Sequence, residues 1–225
     1  MPKFVDHDKR RDDIALVACR VVATYGFEQA TVARIAKETG YTTGMIAHYY
    51  ESKQEIILAA LRLNLRRIEE RLSQGADPRA DLLTVLAEAL PVDEQRFTEC
   101  AFWTAFWGQV STDKKLKRLN AWVHREYHRL FERCLRSHWP EWQSWPEGLR
   151  DETLRSLITF LNGVTASAVP NRADWPPARQ LGQLKLQLQL LRRHALETAA
   201  LDNGAVAVRQ GPRTGPSRAI ANQRR

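Results

Sequence analysis

The chain has 225 residues, a formal net charge of +8, a pI of about 9.7 and 44% hydrophobic residues, enough apolar content for one large or two small domains. No apolar run approaches the roughly 18 residues of a membrane span, and no signal-peptide core is visible near the N-terminus. Cys19, Cys100 and Cys134 lie too far apart for a zinc motif or a disulfide framework. These features predict a reduced, cytoplasmic protein.

The positive charge suggests a nucleic-acid partner but does not locate the binding site. Residues 1–60 carry eight basic and eight acidic side chains, whereas five arginines and no acid follow Asp202. The segment 203–225 is rich in glycine, proline, arginine and glutamine, and we interpret it as a disordered basic tail.

The first predicted helix carries an apolar stripe at helical spacing, formed by Ile14, Val17, Ala18, Val21 and Val22. Gly26 predicts its end, because glycine readily adopts the positive φ angles common at helix C-termini. A basic run opens the helix, and two interpretations remain open, a solvated helix start or an arm that reaches DNA: Lys9, Arg10 and Arg11.

Residues 31–50 predict two short helices joined at Gly40. Thr31 is a suitable N-cap for the first helix, and Thr42 or Thr43 for the second, because a hydroxyl accepts a free backbone N–H. A helix, a glycine turn and a second helix are typical of a helix-turn-helix, whose second helix enters the major groove of DNA.

A capping box, Ser52 to Glu55, predicts a fourth helix over about residues 53–74. We expect its arginines to lie on a solvated face, away from the groove: Arg62, Arg66, Arg67 and Arg71.

A set of residues in this region resembles the DNA-binding domain of TetR-type transcriptional regulators: Ala30-Thr31, Ile35-Ala36, Gly40, Thr43-Gly44, Ile46, His48-Tyr49-Tyr50 and Ser52-Lys53. Most TetR-type proteins carry an aromatic residue at the position of Ala47, whereas proteins of the BetI branch, the choline-responsive repressors, carry a small one. In this respect the chain is similar to the BetI branch. The resemblance covers about residues 8–68 and implies an N-terminal three-helix helix-turn-helix domain in an all-α protein.

Candidate DNA contacts follow from helix starts and from the resemblance. The hydroxyls of Thr31, Thr42 and Thr43 lie where free N–H groups favour phosphate, and the resemblance implies that Thr43 and Gly44 approach base edges. The remaining candidates for phosphate contact are His48, Tyr49, Lys53 and Arg34, and Arg34 is equally read as a plain surface charge. We expect Tyr50 inside the protein and Tyr49 outside.

Residues 76–200 predict a second, all-helical unit, with helices at about 78–90, 94–110, 113–139, 148–169 and 178–200. The last two carry leucine-rich stripes, Leu154 to Val164 and Leu181 to Leu191, that invite a partner. The resemblance implies that this pair forms the interface of a homodimer, which would read a near-palindromic operator. The unit is therefore predicted to bind a ligand and to dimerise.

Helix 94–110 contains an aromatic run that predicts either core packing or a box for a quaternary ammonium ion: Phe102, Trp103, Phe106 and Trp107. Glu99 lies one turn earlier and adds a negative charge. For the ligand site we select Glu99, Trp103, Phe106 and Trp107. The BetI-like resemblance implies choline as effector and control of choline and glycine betaine genes, and another cation or an apolar effector in another pathway is the alternative.

An enzyme is the remote alternative, because no histidine lies in a recognisable catalytic motif and we identify no catalytic residue or cofactor. His124 and His128 have the i, i+4 spacing that a metal can use, but arginines flank them and no third ligand is placed, so we predict no metal site. The favoured function is a ligand-released, operator-binding repressor without an enzymatic activity.

Overall fold

A computed structural model describes residues 7–74, 80–110 and 114–209 of the chain, with side chains up to 201. Within these ranges the chain is helical and has no strand. The helices are α1 (His7–Gln29), α2 (Val32–Thr39), α3 (Thr43–Tyr49), α4 (Lys53–Gln74), α5 (Leu82–Ala87), α6 (Glu94–Val110), α7 (Lys114–His138), α8 (Glu147–Ala168) and α9 (Pro177–Arg209), with a 3-10 turn at Pro140–Ser144. The predicted all-α class is confirmed.

Local sequence signals determine the helix ends of the first four helices. Gly26 breaks the helical backbone of α1 with φ 81°, and Gly40 ends α2 in the left-handed conformation, with φ 72°. The Thr31 hydroxyl accepts the Arg34 N–H, and the Thr42 hydroxyl accepts the Met45 N–H. The second N-cap is therefore Thr42, not Thr43.

The capping box at the start of α4 differs in one bond from the prediction. The Glu55 N–H donates to the Ser52 hydroxyl at 3.3 Å, as expected, but the Glu55 carboxylate accepts from the N–H of Glu51 rather than of Ser52. The helix nevertheless spans the predicted residues.

Two later elements differ from the predicted bounds. The helix expected over 78–90 is the shorter α5, and α9 continues to Arg209, beyond the expected end near residue 200. The residues from 203 to 209, assigned to a disordered tail from sequence, are thus helical. The remainder of the predicted tail, 210–225, lies outside the described residues, as does the predicted break at 75–78.

Two hydrophobic cores organise the part of the chain that the structure describes. The first joins α1, α2, α3 and the N-terminal half of α4 to three aromatic residues of α6, namely Phe102, Trp103 and Phe106. The second joins the C-terminal part of α4 to α5, α7, α8 and α9 and includes a cluster of three tryptophans, Trp139, Trp142 and Trp145, with ring centroids 5.5–6.2 Å apart. The helix α6 therefore packs directly against the helix-turn-helix unit.

Among the described residues, no helix is long and apolar enough to cross a membrane. The three cysteines are free and buried, which agrees with a structural role. Burial raises the pKa of the Cys19 thiol to about 11 and that of Cys100 to about 12, so neither is a reactive thiolate at neutral pH.

Candidate DNA-binding interface and effector site

The N-terminus of α3 presents an open, small-residue surface. Thr42, Thr43 and Gly44 are all exposed. A Cβ added at Gly44 would meet nothing closer than the Thr42 hydroxyl, at 3.9 Å. The absence of a side chain at Gly44 is therefore not required by packing inside the protein, and it leaves room for an external surface to approach the helix closely.

Two arginine contacts position the helix-turn-helix on α1. The Arg11 guanidinium donates to the Tyr49 carbonyl at 2.5 Å and lies 4.4 Å from the centre of the Tyr50 ring, while the Tyr50 hydroxyl donates to the Arg11 carbonyl. Arg10 lies 5.8 Å from the centre of the Tyr41 ring. Arg11 thus joins α1 to the end of α3, and the interpretation of this basic run as an arm that reaches DNA stays a prediction.

Tyr49 is buried rather than exposed, which corrects the prediction from sequence. The rings of His7 and His48 lie 5.6 Å and 5.2 Å from its ring, so the first turn of α1 covers it. Helical spacing within α3 did not predict this cover, because it comes from a distant part of the chain. Tyr50 is buried as predicted, and His48 is exposed beside His7.

The other candidate contacts lie at the starts of α2 and α4. The Lys53 ammonium donates to the Phe27 carbonyl at 2.7 Å and so satisfies a carbonyl at the end of α1. Arg34 stacks over the exposed ring of Tyr25 at 4.4 Å. Thr31 is exposed at the N-terminus of α2. Lys53 and Arg34 thus have partners within the protein before any DNA is bound.

A buried ion pair joins α4 to α6 and corrects two expectations. Glu99 is 7% exposed and lies 2.6 Å from Arg71 and 3.5 Å from Arg67, and Arg71 also pairs with Glu88. Burial acts to lower the pKa of Arg71, but Glu99 outweighs burial and raises it. Arg67 and Arg71 therefore point inward rather than lying on a solvated face, and Glu99 is already neutralised by arginines.

A small aromatic cavity lies between α6, α7 and α8. Its volume is about 30 Å³, room for about two water molecules. Trp103 and Trp107 line it together with residues that sequence reasoning missed: Asn120, Val123, His124, Tyr127, Ile158 and Asn162. The Trp103 and Tyr127 rings meet edge to face at 5.8 Å. Two of the four predicted ligand residues thus line one cavity.

The other two predicted ligand residues do not line this cavity. Phe106 is fully buried in the first core, and Glu99 is held by its arginines. A turn of helix separates Glu99 from Trp103, but their side chains serve different environments. Periodicity alone cannot assign the faces of α6, because aromatic residues occur around most of its circumference. Tyr127 could have been predicted from sequence as a residue of this site, since it lies one turn after Val123 on α7 and so shares its helix face.

Transition-metal chemistry finds no support in the described part of the chain, which contains no group of three or more metal-ligating side chains. The His124 and His128 rings lie 4.9 Å apart, and no third ligand joins them among the described residues.

The helical fold, with a capped helix-turn-helix at one end and an aromatic cavity in the other unit, defines a regulator of the helix-turn-helix class. A model of the tetR family of bacterial regulatory proteins matches residues 14–60, and a model of the C-terminal part of BetI-type transcriptional repressors matches residues 78–200, more than half of the chain. The protein belongs to the TetR family of transcriptional regulators, in its BetI-type branch. It is a transcriptional regulator and not an enzyme.

Two curated relatives illustrate the sequence match. The regulator BetI 1 of Chromohalobacter salexigens is 26% identical over 203 residues, covering 85% of this chain and 96% of that protein. The regulator PksA of Bacillus subtilis is 34% identical over 110 residues, covering 47% of this chain and 54% of that protein. The chain thus matches only about half the length of PksA.

Solved structures share the fold at low identity. A transcriptional regulator from Rhodococcus sp. Rha1 has a TM-score of 0.70 at 23% identity, covering 82% of this chain and 97% of its own. A regulator from Saccharomonospora viridis, solved in complex with choline, has a TM-score of 0.69 at 20% identity, covering 81% of this chain and 96% of its own.

Proposed function

We propose that this protein is a homodimeric repressor that binds a near-palindromic operator and leaves it when a small molecule with a quaternary-ammonium head enters the aromatic cavity. The observation that carries this proposal is the position of α6. Trp103 and Trp107 on this helix line the cavity, and Phe102 and Phe106 of the same helix are buried against the DNA-binding unit.

The DNA contacts in this proposal begin at the N-terminus of α3. Thr42, Thr43 and Gly44 are exposed there, and the free N–H groups of a helix start favour phosphate or base edges. His48 is exposed one turn later and extends the surface along α3. Thr31, Arg34 and Lys53 add phosphate contacts from α2 and α4. Tyr49 packs in the first core and contacts DNA only through the small exposed part of its side chain.

The dimer contact in this proposal lies on exposed leucines of α9, not on the stripes of α8 and α9 chosen from sequence. Leu184 and Leu188 are buried within the protomer, as is the stripe from Leu154 to Val164. The exposed large hydrophobic side chains of the described residues are, apart from Tyr25, leucines of α9: Leu186, Leu190, Leu196 and Leu201. Such a patch on one helix supports association with a second copy.

The effector in this proposal is held by ring faces. Trp103, Trp107 and Tyr127 present aromatic surface to the cavity, and tryptophan faces attract quaternary ammonium ions through their quadrupole. The choline found in the Saccharomonospora viridis regulator supports this class of ligand. Choline is larger than the present cavity, so binding requires α6, α7 and α8 to separate. Such a change releases DNA only if the effector prefers the open state.

An effector titration tests the proposal. Choline, betaine aldehyde and several uncharged apolar compounds are added to the protein–operator complex while tryptophan fluorescence and DNA release are followed. We expect release and a fluorescence change with a quaternary ammonium compound, and loss of both in Trp107→Ala. Release by uncharged compounds alone would reject the quaternary-ammonium class and favour a TetR-type regulator of another pathway.

A further inference from the structure

An open basic cleft adjoins the aromatic cavity on the outer surface of α7 and α8. It has a volume of about 460 Å³ and shares two wall residues, Asn120 and His124, with the cavity. Its other lining residues are Ala121, Arg125, His128, Arg129 and Arg155. A ligand that enters between Asn120 and His124 can therefore contact both spaces at once.

The charge of the cleft is positive. Arg129 pairs with Glu126 and Arg155 pairs with Asp151, each at 2.7 Å, but Arg125 has no hydrogen bond or ion pair with the described residues. Among the described residues, no acidic side chain lines either the cleft or the cavity. The cleft thus offers an uncompensated cation to a ligand.

Burial and the positive charges of the cleft act together on the pKa of His128. Burial lowers the pKa of His128, and the positive charges of His124 and Arg155 lower it further, against smaller opposing effects of Asp151 and Glu132. An anion placed in the cleft would reverse this effect and would gain two donors when the imidazole is protonated.

A simple monocation is poorly matched to this combination. The aromatic cavity offers ring faces, but Glu99, the buried carboxylate of α6, is paired with Arg71 and Arg67. The uncompensated charge of Arg125 repels a bare cation, whereas a ligand that also carries a carboxylate or phosphate turns that repulsion into attraction.

We infer that the effector is zwitterionic, with its quaternary-ammonium head against Trp103 and Trp107 and its carboxylate or phosphate on Arg125 and His128. The inference rests on the proposed function, since it places this ligand in the effector cavity. Arg125 sets the preference for a zwitterion over choline, and Asn120 and His124 form the passage between the two charged ends.

Calorimetric titration of the full-length protein with choline, glycine betaine and phosphocholine tests the inference. We expect at least one zwitterion to bind about tenfold tighter than choline. Arg125→Gln should remove about tenfold of that affinity while choline binding stays within about twofold, because one charge-assisted contact is lost. The matched control is Arg118→Gln, which removes an exposed arginine of the same helix outside the cleft and should change nothing.

The outcomes separate the inference from the proposed function. Choline binding as tightly as both zwitterions, with loss in Trp107→Ala and no effect of Arg125→Gln, overturns the inference and leaves the proposed function standing. A zwitterion preference that Arg125→Gln does not reduce also overturns it. If none of the three compounds binds, the quaternary-ammonium effector fails, and the inference fails with it.

Discussion

At the scale of single residues, helix caps were the most predictable feature. Thr31 caps α2 and Gly40 ends it as the sequence indicated, because these signals act within one turn of chain. The burial of Tyr49 was not predictable in this way. Its cover comes from His7, more than forty residues earlier, and no local pattern encodes that contact.

Gly44→Ala should separate DNA affinity from folding. The new methyl group meets no atom of the protein within ordinary contact distance apart from the Thr42 hydroxyl, so thermal stability should be unchanged or slightly higher. On the proposed DNA face the same methyl group prevents close approach, and operator affinity should fall about tenfold or more, about 1.4 kcal/mol.

Gly148→Ala is the matched control, because Gly148 is also exposed with open space around it but lies on α8. Paired melting curves and operator titrations of the two variants decide the matter. Equal operator affinity in Gly44→Ala and wild type would remove Gly44 from the interface.

Lys53→Ala should have two effects. Loss of a phosphate contact should weaken binding to all DNA sequences alike and reduce the salt-dependence slope by about one. Loss of the ammonium that donates to the Phe27 carbonyl should also lower the melting temperature, which sequence reasoning did not anticipate. Salt titrations of Lys53→Ala and of Lys53→Arg, which keeps the charge, measure the first effect. An unchanged slope in Lys53→Ala would exclude the phosphate contact.

At the scale of helices, the presence of each helix was predictable from sequence, but which of its faces is buried was less so. The apolar stripe of α1 lies on one face of the helix, and its residues are buried as expected. The aromatic run of α6 covers most of the helix, so only the structure distinguishes Phe106 in the core from Trp107 at the cavity. Arg67 and Arg71 of α4 were misassigned because the carboxylate that attracts them, Glu99, comes from another helix, whereas Arg62 and Arg66 are exposed as predicted.

Glu99→Gln should weaken the connection between α4 and α6. Removing Glu99 leaves Arg67 without its counter-charge and leaves Arg71 paired with Glu88 alone, which costs about 2–3 kcal/mol at this partly solvated site. Denaturant unfolding measures the loss. Glu126→Gln, which breaks the exposed pair with Arg129, should cost about 0.5 kcal/mol or less and serves as control. Equal losses in the two variants would contradict a structural role for the Glu99 pair.

Acid should weaken the attachment of α9 to the tryptophan-rich turn. The hydrogen bond from Arg192 holds the pKa of Glu141 below its usual 4.5. A depressed folded-state pKa contributes stability above pH 4.5 that is lost as pH falls through the folded value. We expect about 1 kcal/mol or less to be lost there.

Glu141→Gln should reduce this acid dependence. The measurement is the change in the free energy of unfolding between neutral pH and about pH 3, which lies below the usual carboxylate pKa values. Glu197→Gln is the control, since its pair with Arg193 is long, at 3.9 Å, and exposed. The same acid dependence in Glu141→Gln and wild type would contradict the assignment.

At the scale of the whole molecule, the sequence predicted the class of protein but not which side chains form its outer surfaces. Leucine periodicity identified α8 and α9, but it could not tell which leucines face the protomer core and which face outward. Both sets recur at helical spacing in α9, and only packing against α5 and α8 separates Leu184 and Leu188 from Leu186 and Leu190.

Charges at the exposed leucines should break the dimer without unfolding the protomer. Leu186→Glu with Leu190→Glu places two carboxylates in the proposed contact, where burial of unpaired charge is strongly unfavourable. Sedimentation should give a monomer with helical circular dichroism unchanged, while Leu186→Met with Leu190→Met remains a dimer. A dimer of undiminished affinity in the charged variant would place the interface elsewhere.

The most direct test of the central claim is operator binding by the wild-type dimer. Footprinting on DNA that flanks its own gene should protect a near-palindrome with half-sites about 34–36 Å apart, and the complex should contain two protomers. Gly44→Ala and the charged Leu186, Leu190 variant should lose this protection, and the effector should release it. Protection that persists at wild-type affinity in the monomeric variant, or no sequence-specific protection by the wild type, would contradict a ligand-released, dimeric repressor.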